Sequence, residues 1–383
     1  MTDQERGSRM PRSALILGAL PGQADAMHRL RAAGWRVYAC GHVREGAGVE
    51  AADEFFVVDI LDPAGVAALA KELAVDVVYS VGSDIAMPTV AAVSEQLGLP
   101  LFHSPAVTET LHRKDLLRGF LTKNGLSPVP HQVVRTAADL TGFVAYPAIV
   151  KPVDNQGQRG ITIVQDHDEA VAALPAALAS SRNGAAVIEQ LLEGPEFSVH
   201  VFVVDGVAHL LLASDRHVWE GPLTGIPSSH TMPSRELDDV TSAQVKGLID
   251  AFVAALGVTN GPLYFQMILT SDGPRIVEVA PRLDGCHLWR LIEVHTGFDL
   301  MMTVFDVLSG GEWPGDPELP TGVHHTLRFH LTDPKIPFEP ADHSFADLGE
   351  VVFEEFHTEP GELARDVNGT VARLGYAITR DND

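Results

Sequence analysis

Between Ser13 and His103 the chain alternates short apolar runs with helical stretches, and this pattern limits the fold more than any other feature. "SALILGAL" reads as a buried strand and "QADAMHRLRAAG" as a helix stopped by Gly34. "WRVYACG" and "FFVVDI" read as the second and third strands. "DPAGVAALAKELA" is predicted helical, with Asp62 as N-cap and Pro63 at the first helical position, where its missing N–H costs nothing. "VDVVYSVG" is a fourth strand, followed by the helical "DIAMPTVAAVSEQLG". Strands separated by helices of this length pair in parallel and form an open sheet. Ligands of such sheets sit at the carboxyl ends of the strands. "GALPGQ" (Gly18, Gly22) and "VGSD" (Gly82 to Asp84) fall there.

The pattern then changes. Residues 104–125 read as a helical connector, with Ser104 as N-cap, Pro105 behind it and Gly125 at its end. "YPAIVKP" is predicted as a strand, "VDNQGQRG" as a loop and "ITIVQ" as a strand. "HDEAVAALPAALAS" is a helix that Pro175 is expected to interrupt, and "AAVIEQLL" is a further strand. In "TSAQVKGLIDAFVAALG" Thr241 and Gln244 suggest a capping box, and apolar residues from Val245 to Leu256 follow helical spacing up to Gly257. Residues 321–383 read mostly as strands joined by glycine turns.

With 383 residues there is room for two or three packed units. A net charge of −24 argues against a nucleic-acid surface or an anionic membrane as partner, since both need basic patches. No run reaches the ~20 apolar residues of a membrane span. The start, "MTDQERGSRMPRSALILGALPGQ", has an apolar run too short for a signal peptide and reads as an arm over 1–12 before the first strand. Cys40 and Cys286 lie far apart and form no CxxC, so a reducing cytoplasm is the default compartment. The spacings of His217, His230, His287, His324 and His325 fit no common zinc pattern. Cys286 reads as a packing residue at a helix start.

The chemistry concentrates in "PLYFQMILTSDGPRIVEVAP", two apolar runs around "SDG", which reads as a hairpin. If the turn centres on Asp272, Gln266 lies opposite Glu278 and Ile268 opposite Ile276. Two oxygen-bearing side chains side by side in an apolar sheet suggest a hard-cation site, because Mg²⁺ needs few protein oxygens when phosphates supply the rest. The alternative is a buried Glu278 paired with Arg282 or another arginine. Upstream, "AIVKPVDNQGQRGITIV" places Lys151 at a strand end before a loop containing Gly157 and Gly160. Such a loop can close its amides over a polyphosphate, or can be an ordinary flexible hairpin. It is not a Walker sequence, since no GK[ST] follows. In "VIEQLLEGPEFSVHVFVVDG" Glu189, Glu193 and Glu196 cluster about a turn, where carboxylates are either solvated or accept from sugar hydroxyls.

In this order, the motifs resemble those of the ATP-grasp superfamily, most closely its carboxylate–amine ligases with a carbamoyl-phosphate-synthetase-like core. The resemblance runs over nearly the whole chain and is strongest from about 104 to 310. It implies an N-terminal open parallel α/β (pre-ATP-grasp) domain over 13–103, followed by ATP-grasp α+β domains. These would occupy 104–320, with a lid subdomain at about 126–190 and a β-rich C-terminal segment, 321–383, completing the core. Carried over by position, Lys114 and Lys151 are the two lysines on the ATP phosphates, and "DNQGQRG" is the phosphate-covering loop, with Gln158 where serine is common. Glu189, Gln190 and the backbone near Leu192 meet adenine, Glu196 the ribose, and Ile268 forms the adenine floor. Gln266 and Glu278 are the Mg²⁺ positions, and Arg282 steadies the transferred phosphoryl group. Two positions depart from the pattern: Gln266 stands where Asp or Glu is usual, and Ala280 where Asn is frequent. Both changes weaken a metal site, with Asp284 a conceivable substitute ligand.

The resemblance implies ATP and Mg²⁺ (or Mn²⁺) as cofactors. A small carboxylic acid would be phosphorylated to an acyl phosphate and joined to an amine, with ADP and phosphate released. Arg290, as a guanidinium able to grip a carboxylate, His287, Asp284, His230 and Arg216 are the expected substrate contacts. A homodimer is common in such proteins. The competing readings are an ATP-grasp carboxylase or purine-pathway enzyme, and a nucleotide-binding module with weakened catalysis. A nicotinamide dehydrogenase fits poorly, because "GALPGQ" is not GxGxxG.

Overall fold

A computed structural model describes residues 12–155, 159–219, 225–364, 366 and 371–381. The expected arm over 1–12 therefore lies outside the described residues except for residue 12. The first layer is a parallel sheet. Its elements are β1 (Ser13–Leu17), α1 (Pro21–Ala32), β2 (Arg36–Gly41), α2 (Gly48–Ala51), β3 (Glu54–Val57), α3 (Pro63–Leu73), β4 (Val77–Tyr79) and α4 (Met87–Leu97). The strand order is β3-β2-β1-β4, all pairs parallel. β1 is central, and Ala14 to Leu17 are fully buried, as expected for a parallel strand covered on both faces. Asp62 caps α3 by accepting from Ala64 N at 3.1 Å, with Pro63 behind it as expected. Gln23 accepts from Leu20 N at 2.8 Å and donates to the Val81 carbonyl. It thereby ties the loop after β1 to the loop after β4.

α5 (Pro105–His112) and α6 (Lys114–Lys123) lead into a second sheet. There β5 (His131–Val134), β6 (Ala148–Pro152), β7 (Thr162–Val164) and β8 (Ala186–Gln190) pair antiparallel in the order β5-β8-β6-β7. α7 (His167–Ala179) covers it, burying Ala170, Leu174 and Ala177. The expected interruption at Pro175 is absent. A proline removes one backbone donor, and the buried residues on either side hold the helix against the sheet.

The third sheet has eight strands in the order β13-β12-β9-β10-β11-β14-β16-β15, every pair antiparallel. They are β9 (Glu196–Val204), β10 (Val207–Val218), β11 (Pro227–Met232), β12 (Gly261–Thr270), β13 (Gly273–Ala280), β14 (His325–Thr332), β15 (Gly349–Phe356) and β16 (Ala372–Asp381). α8 (Asp239–Leu256) packs Val245, Ile249, Phe252 and Val253 on one face. Its cap is Asp238, which accepts from Thr241 N at 2.8 Å, not the expected Thr241–Gln244 pair. The helix begins three residues earlier, because the aspartate carboxylate takes up the orphan amide directly. α9 (Leu288–Thr296) and α10 (Leu300–Leu308) return against the first layer.

The β12–β13 hairpin pairs Gln266 with Glu278 as expected, but Ile268 faces Arg275 and Ile276 faces Met267. Thr270 pairs with Gly273, leaving a two-residue turn, and a bulge between Gln266 and Met267 shifts the ladder by one residue. The bulge keeps the polar pair in register.

Candidate active site

α6 starts where the chain leaves α5, so Lys114 stands at the helix N-terminus and Arg118 one turn on. Arg118 is buried and grips Glu189 with two hydrogen bonds, Nε to Oε2 at 2.7 Å and Nη2 to Oε1 at 3.2 Å. Its remaining arm donates to the Ile276 carbonyl on β13 at 2.8 Å. Lys151, near the end of β6, also donates to Glu189 Oε1. Burial alone would raise Glu189, but Arg118 and Lys151 hold it well below the usual carboxylate range. Burial lowers Lys151 against the pull of Glu189, helped by the charges of Arg118 and Lys114. Lys114 Nζ donates to the Asn155 carbonyl at 2.9 Å. Two cations thus meet one carboxylate at the root of the second sheet, with Lys114 acting on Lys151 from nearby, an environment suited to further anionic charge. The loop glycine Gly157 and Gln158 lie outside the described residues. Gly160 adopts φ +71° against Ser180, where a Cβ would collide.

The hairpin edge adjoins this root. Glu278 makes no hydrogen bond and no ion pair among the described residues, although the charge of Arg282 acts on it. Gln266 uses its amide nitrogen to donate to Glu196 Oε2 at 3.2 Å. Its own oxygen stays free of donors among the described residues. One carboxylate and one amide oxygen thus share a face, a donor set that a hard cation can use once other oxygens complete its shell. Among the described residues no cluster of three or more His, Cys, Asp or Glu is arranged to hold a metal by itself. Glu196 also takes the Arg216 guanidinium on Oε2, and Arg216 Nη2 reaches the Gly225 carbonyl at 2.7 Å. Ile268 pairs with Glu196 across the β12–β9 ladder. Gln190 N binds the Pro130 carbonyl at 2.9 Å, and Leu192 is half-buried just beyond β8.

Arg282 follows β13 and turns toward the first layer. It is buried, ion-pairs with Asp84 of "VGSD", donates to the Leu283 carbonyl at 2.9 Å and lies 5.7 Å from the Tyr264 ring centroid. Burial opposes its charge, but Asp84 and Asp284 more than compensate, so the guanidinium is fully ionised. Asp284 accepts from Cys286 N and, at 3.0 Å, from Leu288 N, while His200 Nε2 stands 3.3 Å away. Burial would raise Asp284, but His200, His230 and Arg282 hold it down. Its role is to fix the turn before α9.

Beyond that turn opens a cleft of about 550 Å³. The loops after β1 and β4 form one wall, with Pro21, Gly22 and Gly82, and Gly285, His287, Trp289, His357 and Arg373 line the rest. A Cβ on Gly22 would lie 3.0 Å from Trp289, so glycine is what lets the two units close there. His287 takes φ +59°, stacks on Tyr376 at 4.5 Å and is pushed down to about 3 by burial. Of the expected substrate contacts, His287 borders the cleft. His230 is fully buried within the sheet, 3.5 Å from Ser214. Arg290 is held by Asp25 of α1 at 3.0 Å and Glu293 at 2.7 Å.

The model of the phosphoribosylglycinamide synthetase ATP-grasp (A) domain matches residues 113–285. Residues 113–285 form an ATP-grasp domain. Phosphoribosylamine–glycine ligase of Lactococcus lactis subsp. lactis (strain IL1403) is 28% identical over 234 residues, 56% of this chain and 55% of that protein. The enzyme of the same name from Methanococcus vannielii is 26% identical over 247 residues, 60% of this chain and 54% of that protein. The chain thus spans about half the length of the curated relatives it matches. The L-amino acid ligase structure from Bacillus licheniformis shares the fold with a TM-score of 0.79 at 19% identity, covering 98% of this chain and 94% of that one. Phosphoribosylglycinamide synthetase from Anaerococcus prevotii does so with a TM-score of 0.76 at 18% identity, covering 98% and 95%. The ATP-grasp domain contains Lys114, Lys151, Glu189, Glu196, Gln266, Glu278 and Arg282, and it also contains Arg118, which the sequence reading passed over. Arg118 sits on an amphipathic helix with no motif around it, and its partners lie 71 and 158 positions away. Asp84, which pairs with Arg282, carries no signal in the sequence beyond its place in the loop "VGSD".

Proposed function

We propose that the protein is an ATP-dependent, ADP-forming ligase that activates a small carboxylic acid and joins it to an amine. The observation that carries this reading is Glu278 facing Gln266 inside an ATP-grasp domain, with no hydrogen bond or ion pair among the described residues, on a hairpin that Arg118 ties to the root holding Lys114 and Lys151. Glu278 and the free oxygen of Gln266 fit a Mg²⁺ ion whose remaining ligands are phosphate oxygens. When bound, that ion supplies positive charge for the phosphates.

The residues then divide the work. Lys114 and Lys151 bind the triphosphate, Ile268, Gln190 and Leu192 border the adenine, and the second oxygen of Glu196 accepts from the ribose. The substrate carboxylate oxygen attacks the γ-phosphorus, the bond to the ADP oxygen breaks, and Arg282 offsets the charge on the phosphoryl oxygens. The amine nitrogen attacks the acyl carbon, phosphate leaves and the nitrogen gives up a proton. The sheet β5-β8-β6-β7, within the segment 126–190, acts as a lid that keeps water from the acyl phosphate. Positioning accounts for much of the rate, because little covalent help is needed.

The names of the relatives favour glycine and an amine such as phosphoribosylamine among the pairs to try first. The test is ADP release against a panel of acids and amines. Release that requires both an acid and an amine is expected. Nucleotide binding without substrate-stimulated release contradicts the ligase reading and favours a weakened nucleotide-binding module, which the single carboxylate of the hairpin keeps in view.

A further inference from the structure

β13 is an edge strand, paired with β12 on one side only. From its turn the ladder runs regularly, Thr270 with Gly273, Ile268 with Arg275 and Met267 with Ile276. The next regular pair would be Gln266 with Val277. Instead Gln266 faces Glu278, which makes Val277 the extra residue of the bulge. Side chains alternate across a strand, so the regular ladder would put Glu278 and Gln266 on opposite faces of the sheet. The bulge is what brings them to one face, and bulges re-aim side chains in this way beside active sites.

An extra residue at a sheet edge needs something to hold it. Here the hold comes from outside the sheet, at Ile276, the last residue of the regular ladder. Its N–H donates to Ser127 Oγ at 2.7 Å, and its carbonyl accepts from Arg118 Nη1 at 2.8 Å. Both partners are buried, and both precede β5, Arg118 on α6 and Ser127 in the connector after Gly125. Ser127 takes φ +45°, in the left-handed region that a non-glycine residue seldom occupies. It also directly precedes Pro128, which favours an extended residue before it. A conformation of this kind persists where the surrounding structure imposes it. Its product here is an acceptor for a buried amide that no strand covers.

We propose that Ser127, with Arg118, is a positioning residue for the metal carboxylate. The two side chains staple the β13 backbone beside the bulge and so keep Glu278 opposite Gln266. This rests on the reading of Glu278 as a Mg²⁺ ligand and says how the fold aims it. Arg118 has a second task in gripping Glu189, so Ser127 is the cleaner place to test the staple.

The test uses Ser127→Gly in the full chain. Glycine accepts the left-handed backbone without strain and removes the hydroxyl, so the melting temperature stays near that of the wild type. Ser127→Ala, which also loses the hydroxyl and keeps the same backbone demand, is the second variant. Hydrogen–deuterium exchange of peptides covering 273–280 is expected to quicken in both. ADP is then titrated by calorimetry into the wild type, the two variants and Glu278→Gln, each with Mg²⁺ and with EDTA. The gain in ADP affinity that Mg²⁺ gives the wild type is expected to shrink about 10-fold in the Ser127 variants, the scale for losing a group that orients a metal ligand. Their metal-free affinity holds, which a general loosening of the fold would not allow. Unchanged exchange over 273–280 in both variants overturns the proposal. A Mg²⁺ gain lost in Glu278→Gln but kept in the Ser127 variants removes the positioning role and leaves the metal reading standing. A Mg²⁺ gain that survives Glu278→Gln is a separate failure: it takes Glu278 away from the metal, and the positioning role falls with it.

Discussion

Two glutamates, Glu189 buried on β8 of the second sheet and Glu278 half-buried on β13 of the third, are treated in opposite ways. At the root of the second sheet, Glu189 is surrounded: two bonds from Arg118 and one from Lys151. In the hairpin, Glu278 has no hydrogen bond or ion pair among the described residues, with Gln266 opposite and Arg282 and His112 near enough to feel its charge. The first arrangement is complete without a ligand and pre-positions two cations. The second leaves a half-exposed carboxylate without a protein partner among the described residues, and the proposed function places the ligand there.

The sharpest way to break that comparison is to remove each carboxylate. Glu278→Ala should cut ADP release by about 10²- to 10³-fold, the scale of a lost electrostatic contact to the transition state, while the melting temperature stays near that of the wild type. Glu189→Ala should do the reverse in character. It strands Arg118 and Lys151 and should cost about 3–5 kcal/mol of stability by denaturant unfolding. If the two variants lose stability equally, the distinction fails.

Arg118→Ala tests the link between the two regions, because Arg118 spans Glu189 on β8 and the Ile276 carbonyl on β13. Loss of about 3 kcal/mol is expected, together with a raised KM for ATP in steady-state assays. An unchanged KM would separate the root of the second sheet from the hairpin. Gln266→Glu adds a second carboxylate beside Glu278 and should lower the Mg²⁺ concentration for half-maximal activity severalfold; a higher requirement in a Mg²⁺ titration would mean that residue 266 does not face the ion.

Acid should act more gently and elsewhere. Burial pushes His230 and His287 down to about 3 and His103 and His295 down to about 4, against an ordinary 6.5. Between those values the unfolded chain binds protons that the folded chain refuses, so stability falls as the pH drops from about 6.5 toward 4. Melts at pH 7.5 and pH 5 should show the lower midpoint at pH 5; identical midpoints would mean that these imidazoles are not buried neutral.

The first sheet was legible because the alternation of apolar runs and helices leaves one pairing mode open, and β1 to β4 follow it. The Gln266–Glu278 pairing was legible from hairpin symmetry, but the position of Ile268 was not, because a bulge inserts a residue without leaving a mark in the alternation. The start of α8 was misplaced because both Asp238 and Thr241 are acceptable caps, and only geometry shows which carries the bond. Arg118 and Asp84 stayed hidden for a common reason. Each owes its role to charges far away in sequence, and a single arginine or aspartate on an ordinary element carries no local signal of that.

The central claim is that Glu278 is neutralised by a divalent ion shared with nucleotide phosphates. Calorimetric titration of ADP into wild type and Glu278→Gln, each with Mg²⁺ and with EDTA, tests it most directly. The account predicts that Mg²⁺ tightens ADP binding to the wild type and that Glu278→Gln loses this gain while keeping its metal-free affinity. An equal Mg²⁺ gain in both proteins would contradict it.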